Sequence, residues 1–380
     1  MKVGILGYGK MGRGIFSLFS ASPAAVSVFV RSQEKADFNN AQSQKRLQRA
    51  VRKGMMTEAE FNDRSAALKF TSDLNDLADC DLVIESVPEK FETKVELLAR
   101  IESVVRPDCI LASNTSTLSI NRMAADLKKA DRFCGFHFFH PVQLSGILEI
   151  IKWDRVSEQV VERMVEVSRM IQRTPIVVKD VPGSAINGVL SCYYCEGLYL
   201  LEQGLGAPSV IDRVAGRYFR IGPCESIDVI GVKFFTDSFE RMEGVRPPGL
   251  STPALLQKLI DAGRVGKDAN QGIYLYQEDR AVDDAPAYYQ NPGQKHSRGV
   301  LGGGEDEIAQ RLLYAVFAGM LFIVARGFGR MAELDVGMKE VLGMERGPLE
   351  WMKAIGKAKL ADDYKLLNKR IGDRFDPALL

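Results

Sequence analysis

The chain has 380 residues, 46% of them apolar and 26% charged, and a formal net charge of +1. That length exceeds one ordinary hydrophobic core, so two or three domains are expected. The near-neutral balance excludes a global attraction to nucleic acid or to an anionic membrane, and any anionic ligand must be held by a local basic patch.

The first residues, Lys2-Val3-Gly4-Ile5-Leu6, enter an apolar run without the basic and apolar regions of a secretory signal. The expected compartment is the cytoplasm. Val3–Leu6 reads as a strand and Met11–Phe19 as the helix after it. Between them lies Gly7-Tyr8-Gly9-Lys10-Met11-Gly12. In such a strand–turn–helix the first glycine permits the tight turn, the second lets a pyrophosphate approach the backbone, and the third lets helix pack on strand. The helix N-terminus adds N–H groups and a positive dipole end. A dinucleotide site over Gly7, Gly9, Lys10, Met11 and Gly12 is predicted. The second strand, Val26–Val30, ends at Arg31-Ser32. An acidic residue there would accept from the ribose 2′-OH of NAD, whereas the Arg31 guanidinium suits the 2′-phosphate of NADP. NADP is the expected cofactor, with NAD the alternative.

Asp37 to Asn62 is long, charged and helical in pattern, with a break at Lys53-Gly54. It reads as a helical hairpin (37–62) projecting from the sheet. Further strands are expected at Leu82–Ser86, Cys109–Ala112 and Gly135–Phe139, with a helix over Glu92–Val104. Strands alternating with helices argue for an α/β domain, a Rossmann-like doubly wound parallel sheet over residues 1–183. Ligands bind at the carboxyl edge of such sheets. Three segments can reach that edge: Ala112 to Leu118, His137-Phe-Phe-His140-Pro141, and Leu148-Glu149-Ile-Ile151. Hydride transfer from a secondary alcohol needs a base for the hydroxyl proton and donors for the developing oxyanion. Histidine suits the first role, a carboxylate such as Glu149 can orient it, and Ser116 can serve the second. His140 reads as a packed, hydrogen-bonded histidine.

Asp180-Val-Pro-Gly183 reads as a hinge, and the chain beyond it is mostly helical. An internal repeat is visible there. Gly204 and Asp212 recur as Gly327 and Asp335 at one common offset, and Gly222-Pro223 and Gly231 recur as Gly347-Pro348 and Gly356 at an offset two residues longer. This order predicts two all-α helical domains, 184–280 and 305–380, joined by a Pro- and Gly-rich linker, 281–304. The most apolar stretch, Leu312 to Ala325, is too short to span a bilayer and reads as a buried helix. No metal site is expected: Cys192 and Cys195 form the one C-x-x-C, which lies in an apolar helical stretch, and the chain has three histidines in all.

Taken in order, Gly7 to Ile15, Asp81 to Glu89, Ser113 to Leu118, His137 to Val142, Pro182-Gly183 through Asn187, and Gly263 to Lys267 with Gln271 to Tyr274 resemble the 3-hydroxyacyl-CoA dehydrogenase family over nearly the whole chain. The resemblance implies His137 as general base, Glu149 as its partner, and Ser116 and Asn187 as contacts to the substrate oxygen. It puts Glu89 and Lys94 near the nicotinamide ribose, with Asn114 also among the cofactor contacts beside Arg31 and Ser32. It assigns coenzyme A to the helical hairpin, where Lys45, Arg46, Arg49, Arg52 and Lys53 suit its phosphates. This chain departs from the family at Arg31, usually acidic, at His140, usually Asn, and at Gly188, usually Arg.

The tandem helical part is similar to the dehydrogenase portion of multifunctional fatty-acid oxidation proteins. Gln310 stands in the second copy where Asn187 stands in the first, so the first copy is expected to serve the site. The expected partner is an acyl-CoA thioester, or alternatively an acyl carrier protein thioester; neither nucleic acid nor a membrane is expected. The second copy is expected to replace a dimer contact, leaving a monomer or a dimer through some other surface. A reading of another class, a non-catalytic dinucleotide-binding structural protein, would not need His137, Glu149, Ser116 and Asn187 together.

Overall fold

The computed structural model describes residues 1–242, 244–283 and 300–380, which form two compact units, Met1–Asp180 and Val181–Leu380. In the first unit, β1 (Lys2–Leu6), β2 (Ala25–Phe29), β3 (Leu68–Thr71), β4 (Leu82–Glu85), β5 (Ile110–Ser113), β6 (Phe133–Phe138), β7 (Ile147–Lys152) and β8 (Thr174–Lys179) build one sheet in the order β3-β2-β1-β4-β5-β6-β7-β8. Helices α1 (Lys10–Ser20), α2 (Gln33–Arg52), α3 (Glu58–Ala67), α4 (Phe91–Glu102), α5 (Ile120–Ala124) and α6 (Glu158–Met170) complete it. Every residue of β4 and β5 is buried, as central parallel strands covered on both faces require.

The sheet is not parallel throughout. Strands from β3 across to β6 run parallel, but β7 pairs antiparallel with β6 and carries β8 along parallel to itself. This reversal sets Glu149 directly opposite His137. β3, β7 and β8 have no counterpart among the predicted strands, although β7 contains the Leu148–Ile151 segment expected at the sheet edge. β3 is four residues long and follows α3 without a break, and β8 carries Pro175, tolerated because β8 is an edge.

The predicted hairpin corresponds to α2 and α3. α2 ends at Lys53, Gly54 takes φ +67°, and α3 starts with a capping box between Thr57 and Glu60. Ser32 caps α2.

The second unit holds α7 (Ala185–Glu202), α8 (Pro208–Ala215), α9 (Pro223–Ile230), α10 (Val232–Arg241), α11 (Ala254–Asp261), a small β9 (Leu275–Gln277) and β10 (Arg280–Val282) hairpin, then α12 (Gly304–Ala325), α13 (Met331–Leu342), α14 (Pro348–Ile355) and α15 (Lys357–Ile371). The repeat is visible in its geometry. Gly204 and Gly327 close α7 and α12 at φ +67° and +68°, where a side chain would be strained. Asp212 accepts from the N–H groups of Cys224 and Glu225 at the start of α9, and Asp335 accepts from Leu349 N–H at the start of α14. Gly222 and Gly347 precede these helices because a Cβ there would meet the aspartate at 2.2 or 2.6 Å. Most of the predicted linker, residues 284–299, lies outside the described residues.

α12 is longer than the apolar stretch suggests. Its 22 residues are long and apolar enough to cross a membrane by length and composition. The surrounding protein covers it instead: Leu312, Tyr314, Phe317 and Met320 have no more than 1% exposure, and it packs along α7. Arg311 and Glu307 are fully buried on the same helix; Arg311 pairs with Glu196 of α7, whose second oxygen accepts from Arg374. Cys192 and Cys195 are free thiols buried in α7, and burial pushes the Cys192 thiol up to about 12.

Candidate active site

The glycine turn lies where β1 gives way to α1. Gly7 takes φ +102°, and its N–H donates to the Phe29 carbonyl at the end of β2. A Cβ on Gly12 would strike the Gly7 carbonyl at 2.2 Å, so helix and turn close only without one, while a Cβ on Gly9 would meet nothing within 4 Å. Gly9 therefore faces open space, as a backbone that must admit a pyrophosphate requires. Gly9 is the N-cap of α1, and Lys10, Met11 and Gly12 form its first turn, whose N–H groups have no partner within the helix. Arg31 is exposed two residues beyond β2, whose end is tied to this turn. The Ser32 hydroxyl is occupied in part by its capping bond from Lys35 N–H at 3.4 Å.

Tyr8, in the same turn, packs edge-on against Phe16 and Phe70. Burial pushes its phenol up, and Arg13 and Arg46 pull it the other way. Arg46 thus brings α2 within electrostatic reach of the glycine turn. Lys45, Arg46, Arg49, Arg52 and Lys53 are all exposed. At about 100° per residue they fall within roughly a third of the circumference of α2. Phe38 and Met55 are exposed on the same hairpin, at 61% and 76%.

Across the sheet, β6 and β7 place His137 and Glu149 side by side. The His137 Nδ1 lies 2.8 Å from Glu149 Oε2, with the two residues 5% and 0% exposed. The Phe139 ring packs at a tilt against the imidazole, 4.5 Å between centroids. Ser116 stands half-buried in the turn after β5. Asn114, buried at the end of β5, accepts from Phe138 N–H at 2.9 Å, tying that turn to the strand bearing His137.

Glu89 receives the turn after β5: Thr115 Oγ1 donates at 2.5 Å, Ser116 N–H at 2.9 Å and Thr117 N–H at 3.1 Å. Burial would raise its carboxyl, but Lys94 and these donors outweigh that and hold it below the usual range. Lys94, grouped with the cofactor contacts by sequence, is 1% exposed, and its ammonium is engaged by Glu85, Val87 and Glu89. Glu85 was not singled out from sequence, although a glutamate ending an apolar strand is itself a signal, since a buried carboxylate requires a cation or donors.

His140 is exposed rather than packed; partial burial first, and Lys10 second, lower its pKa. Asn187 belongs to the second unit, half-buried in the first turn of α7, where its N–H donates to Ser184. Gly188 sits under the Val245 carbonyl, 2.7 Å from where a Cβ would be, so the arginine usual in the family has no room. Among the described residues, no group of three or more His, Cys, Asp or Glu side chains could hold a metal.

Residues 2–181 match the family model for the 3-hydroxyacyl-CoA dehydrogenase NAD binding domain, and residues 183–276 match that for its C-terminal domain. The chain belongs to the 3-hydroxyacyl-CoA dehydrogenase family. As a member it is an oxidoreductase with an NAD-type dinucleotide domain. The 3-hydroxybutyryl-CoA dehydrogenase of Mycobacterium tuberculosis is 33% identical over 280 residues, covering 72% of this chain and 98% of that protein. The fatty acid oxidation complex subunit alpha of Idiomarina loihiensis is 30% identical over 96% of this chain, which spans only 52% of that longer protein. The crystal structure of the Ralstonia eutropha (S)-3-hydroxybutyryl-CoA dehydrogenase aligns with a TM-score of 0.65 at 30% identity, over 73% of this chain and 99% of that one. The Escherichia coli 3-hydroxybutyryl-CoA dehydrogenase shares the fold over 99% of this chain and 96% of its own, at 22% identity and a TM-score of 0.84.

Proposed function

We propose that this family member transfers hydride between NADP(H) and C3 of a 3-hydroxyacyl or 3-oxoacyl-CoA thioester, with His137 as the acid–base group. The observation that carries the reading is the buried His137–Glu149 pair, 2.8 Å apart at Nδ1. With Nδ1 turned to the carboxylate, Nε2 is the nitrogen left to take the hydroxyl proton in oxidation and return it in reduction. Glu149 sets that tautomer and offsets the charge on the protonated ring. The Ser116 hydroxyl donates to the oxygen as negative charge develops. Asn187 is assigned the second donor on the family's sequence pattern alone. A bound nicotinamide supplies or takes the hydride. The exposed cations Lys45, Arg46, Arg49 and Arg52 of α2 and Lys53 at its C-cap, with Phe38 and Met55 on the same hairpin, suit a ligand carrying phosphates and an adenine, which favours coenzyme A over a carrier protein as the thioester's owner.

The test is a nicotinamide-absorbance assay of the purified chain with acetoacetyl-CoA and longer 3-oxoacyl-CoAs, each with NADH and NADPH. Turnover with the CoA thioesters and a higher kcat/KM with NADPH is expected. Turnover confined to carrier-protein thioesters would reassign the substrate, and no turnover with any thioester would remove the enzymatic reading.

A further inference from the structure

The turn that bears Ser116 is held at its entry, at its middle and at its exit. It leaves β5 at Ser113 and ends where Ser119 caps α5. At the entry, Asn114 N–H donates to the Glu85 carbonyl at 2.8 Å, and Asn114 Oδ1 accepts from Phe138 N–H. In the middle, the Glu89 carboxylate accepts from Thr115, Ser116 and Thr117. Thr115 Oγ1 also accepts from Thr117 N–H at 3.4 Å and from Leu118 N–H at 3.0 Å, which closes residues 115–118 into one rigid piece.

The exit is held by Asp180, which follows the edge strand β8 and is separated from β5 by β6 and β7. Its own N–H is bound to the Lys152 carbonyl at 2.8 Å, and its carboxylate reaches the start of α5. Oδ2 accepts from the Ser119 hydroxyl at 2.8 Å and from Asn121 N–H at 2.7 Å, and Oδ1 accepts from Ile120 N–H at 3.0 Å. First-turn N–H groups have no partner within their helix, and a carboxylate there also meets the positive end of the helix dipole. Ile120 and Met123 are fully buried, but apolar burial is non-directional and keeps α5 against the protein without fixing its first residue. The bonds to Asp180 are directional, and they fix it.

We propose that Asp180 is a positioning residue for the Ser116 hydroxyl. A rigid piece held at two points can still turn about the line joining them, and a third point removes that freedom. Asn114 and Glu89 supply the first two points, and Asp180 supplies the third. This rests on the role given to Ser116 above. Asp180 also opens the stretch 180–184, whose last residue, Ser184, caps α7 by accepting from Asn187 N–H at 3.2 Å. The two donors assigned to the substrate oxygen are thus tied to opposite ends of one short stretch of chain.

In Asp180→Ala, kcat with acetoacetyl-CoA at saturating cofactor is expected to fall roughly 10-fold, within the range for a small misplacement of a catalytic group. Asp180→Asn keeps one acceptor oxygen and should fall between Asp180→Ala and the unaltered chain. The deciding measurement is a double-mutant cycle with Ser116→Ala. If Asp180 acts through the Ser116 hydroxyl, Asp180→Ala changes kcat by less than about twofold once that hydroxyl is gone. An equal loss in both backgrounds marks a general loss of structure and overturns the proposal, as does a normal kcat in Asp180→Ala. If Asp180→Ala does not fold, Asp180→Asn takes its place in the same cycle. Full activity in Ser116→Ala refutes the role of Ser116 itself; impairment there with normal Asp180→Ala refutes only the tether.

Discussion

At the scale of single residues, the proposed function assigns the chemistry to His137 and the choice of cofactor to Arg31. His137 is proposed to carry the proton because its strand ends beside the Ser116 turn and because Glu149 lies opposite it in register. His137→Ala should leave cofactor affinity nearly unchanged and lower kcat by at least ~100-fold, the usual cost of losing a general acid–base. Steady-state kinetics alongside an NADH binding titration would check both halves, and near-normal turnover would move the base elsewhere, with exposed His140 the first alternative. Arg31 is exposed just past β2, where NAD enzymes present an acceptor. Arg31→Asp should exchange an NADPH preference for an NADH one, since a carboxylate repels a 2′-phosphate and accepts from a 2′-OH. A wild-type chain that uses NADH equally well or better would sink this claim.

At the scale of elements, the duplicated helical pattern depends on a few polar anchors in an otherwise apolar setting. α7 and α12 pack together along their lengths, and the ion pair between Glu196 and Arg311 is shut inside that contact. Arg374, reaching Glu196 at 2.9 Å, ties the C-terminal segment to the same carboxylate. Replacing one partner of such a pair leaves the other short of compensation. Arg311→Leu should therefore cost about 3 kcal/mol, the lower part of the range for a broken buried pair, because Arg374 still serves Glu196. Urea denaturation would measure it, and a loss below about 1 kcal/mol would show that apolar packing alone holds α12 in place.

At the scale of the whole molecule, we propose that residues 184–280 and 305–380 act as two small domains that complete each other within one chain. Each contributes a long apolar helix it could hardly bury alone, and the covalent link keeps the partner at an effective concentration in the millimolar range or so. A monomer, or a dimer through another surface, is expected. Truncation after Gln277 removes α12 and uncovers the face of α7 that it covers. Light scattering should then report dimers, aggregates or an unstable protein. A truncated chain that stays a well-behaved, fully active monomer would refute the pairing.

Much of this architecture is legible in the sequence, and the reason is locality. Gly7, Gly9 and Gly12 announce a dinucleotide turn because the backbone leaves no room for a side chain at Gly7 and Gly12 and must stay open at Gly9, demands that act within six residues. The hairpin break at Gly54 and the paired glycines of the repeat are local demands of the same kind. Non-local pairing is not legible. The reversal of β7 and β8, the register of Glu149 opposite His137, and the burial of Lys94 between two glutamates depend on which strands and helices meet. Sequence alone supplied the family, the glycine turn and the two residues, His137 and Glu149, proposed as the acid–base pair. Tertiary structure alone showed that the pair touches and that Lys94 is buried among carboxylates, because register and burial belong to the assembled sheet and not to any segment of the chain.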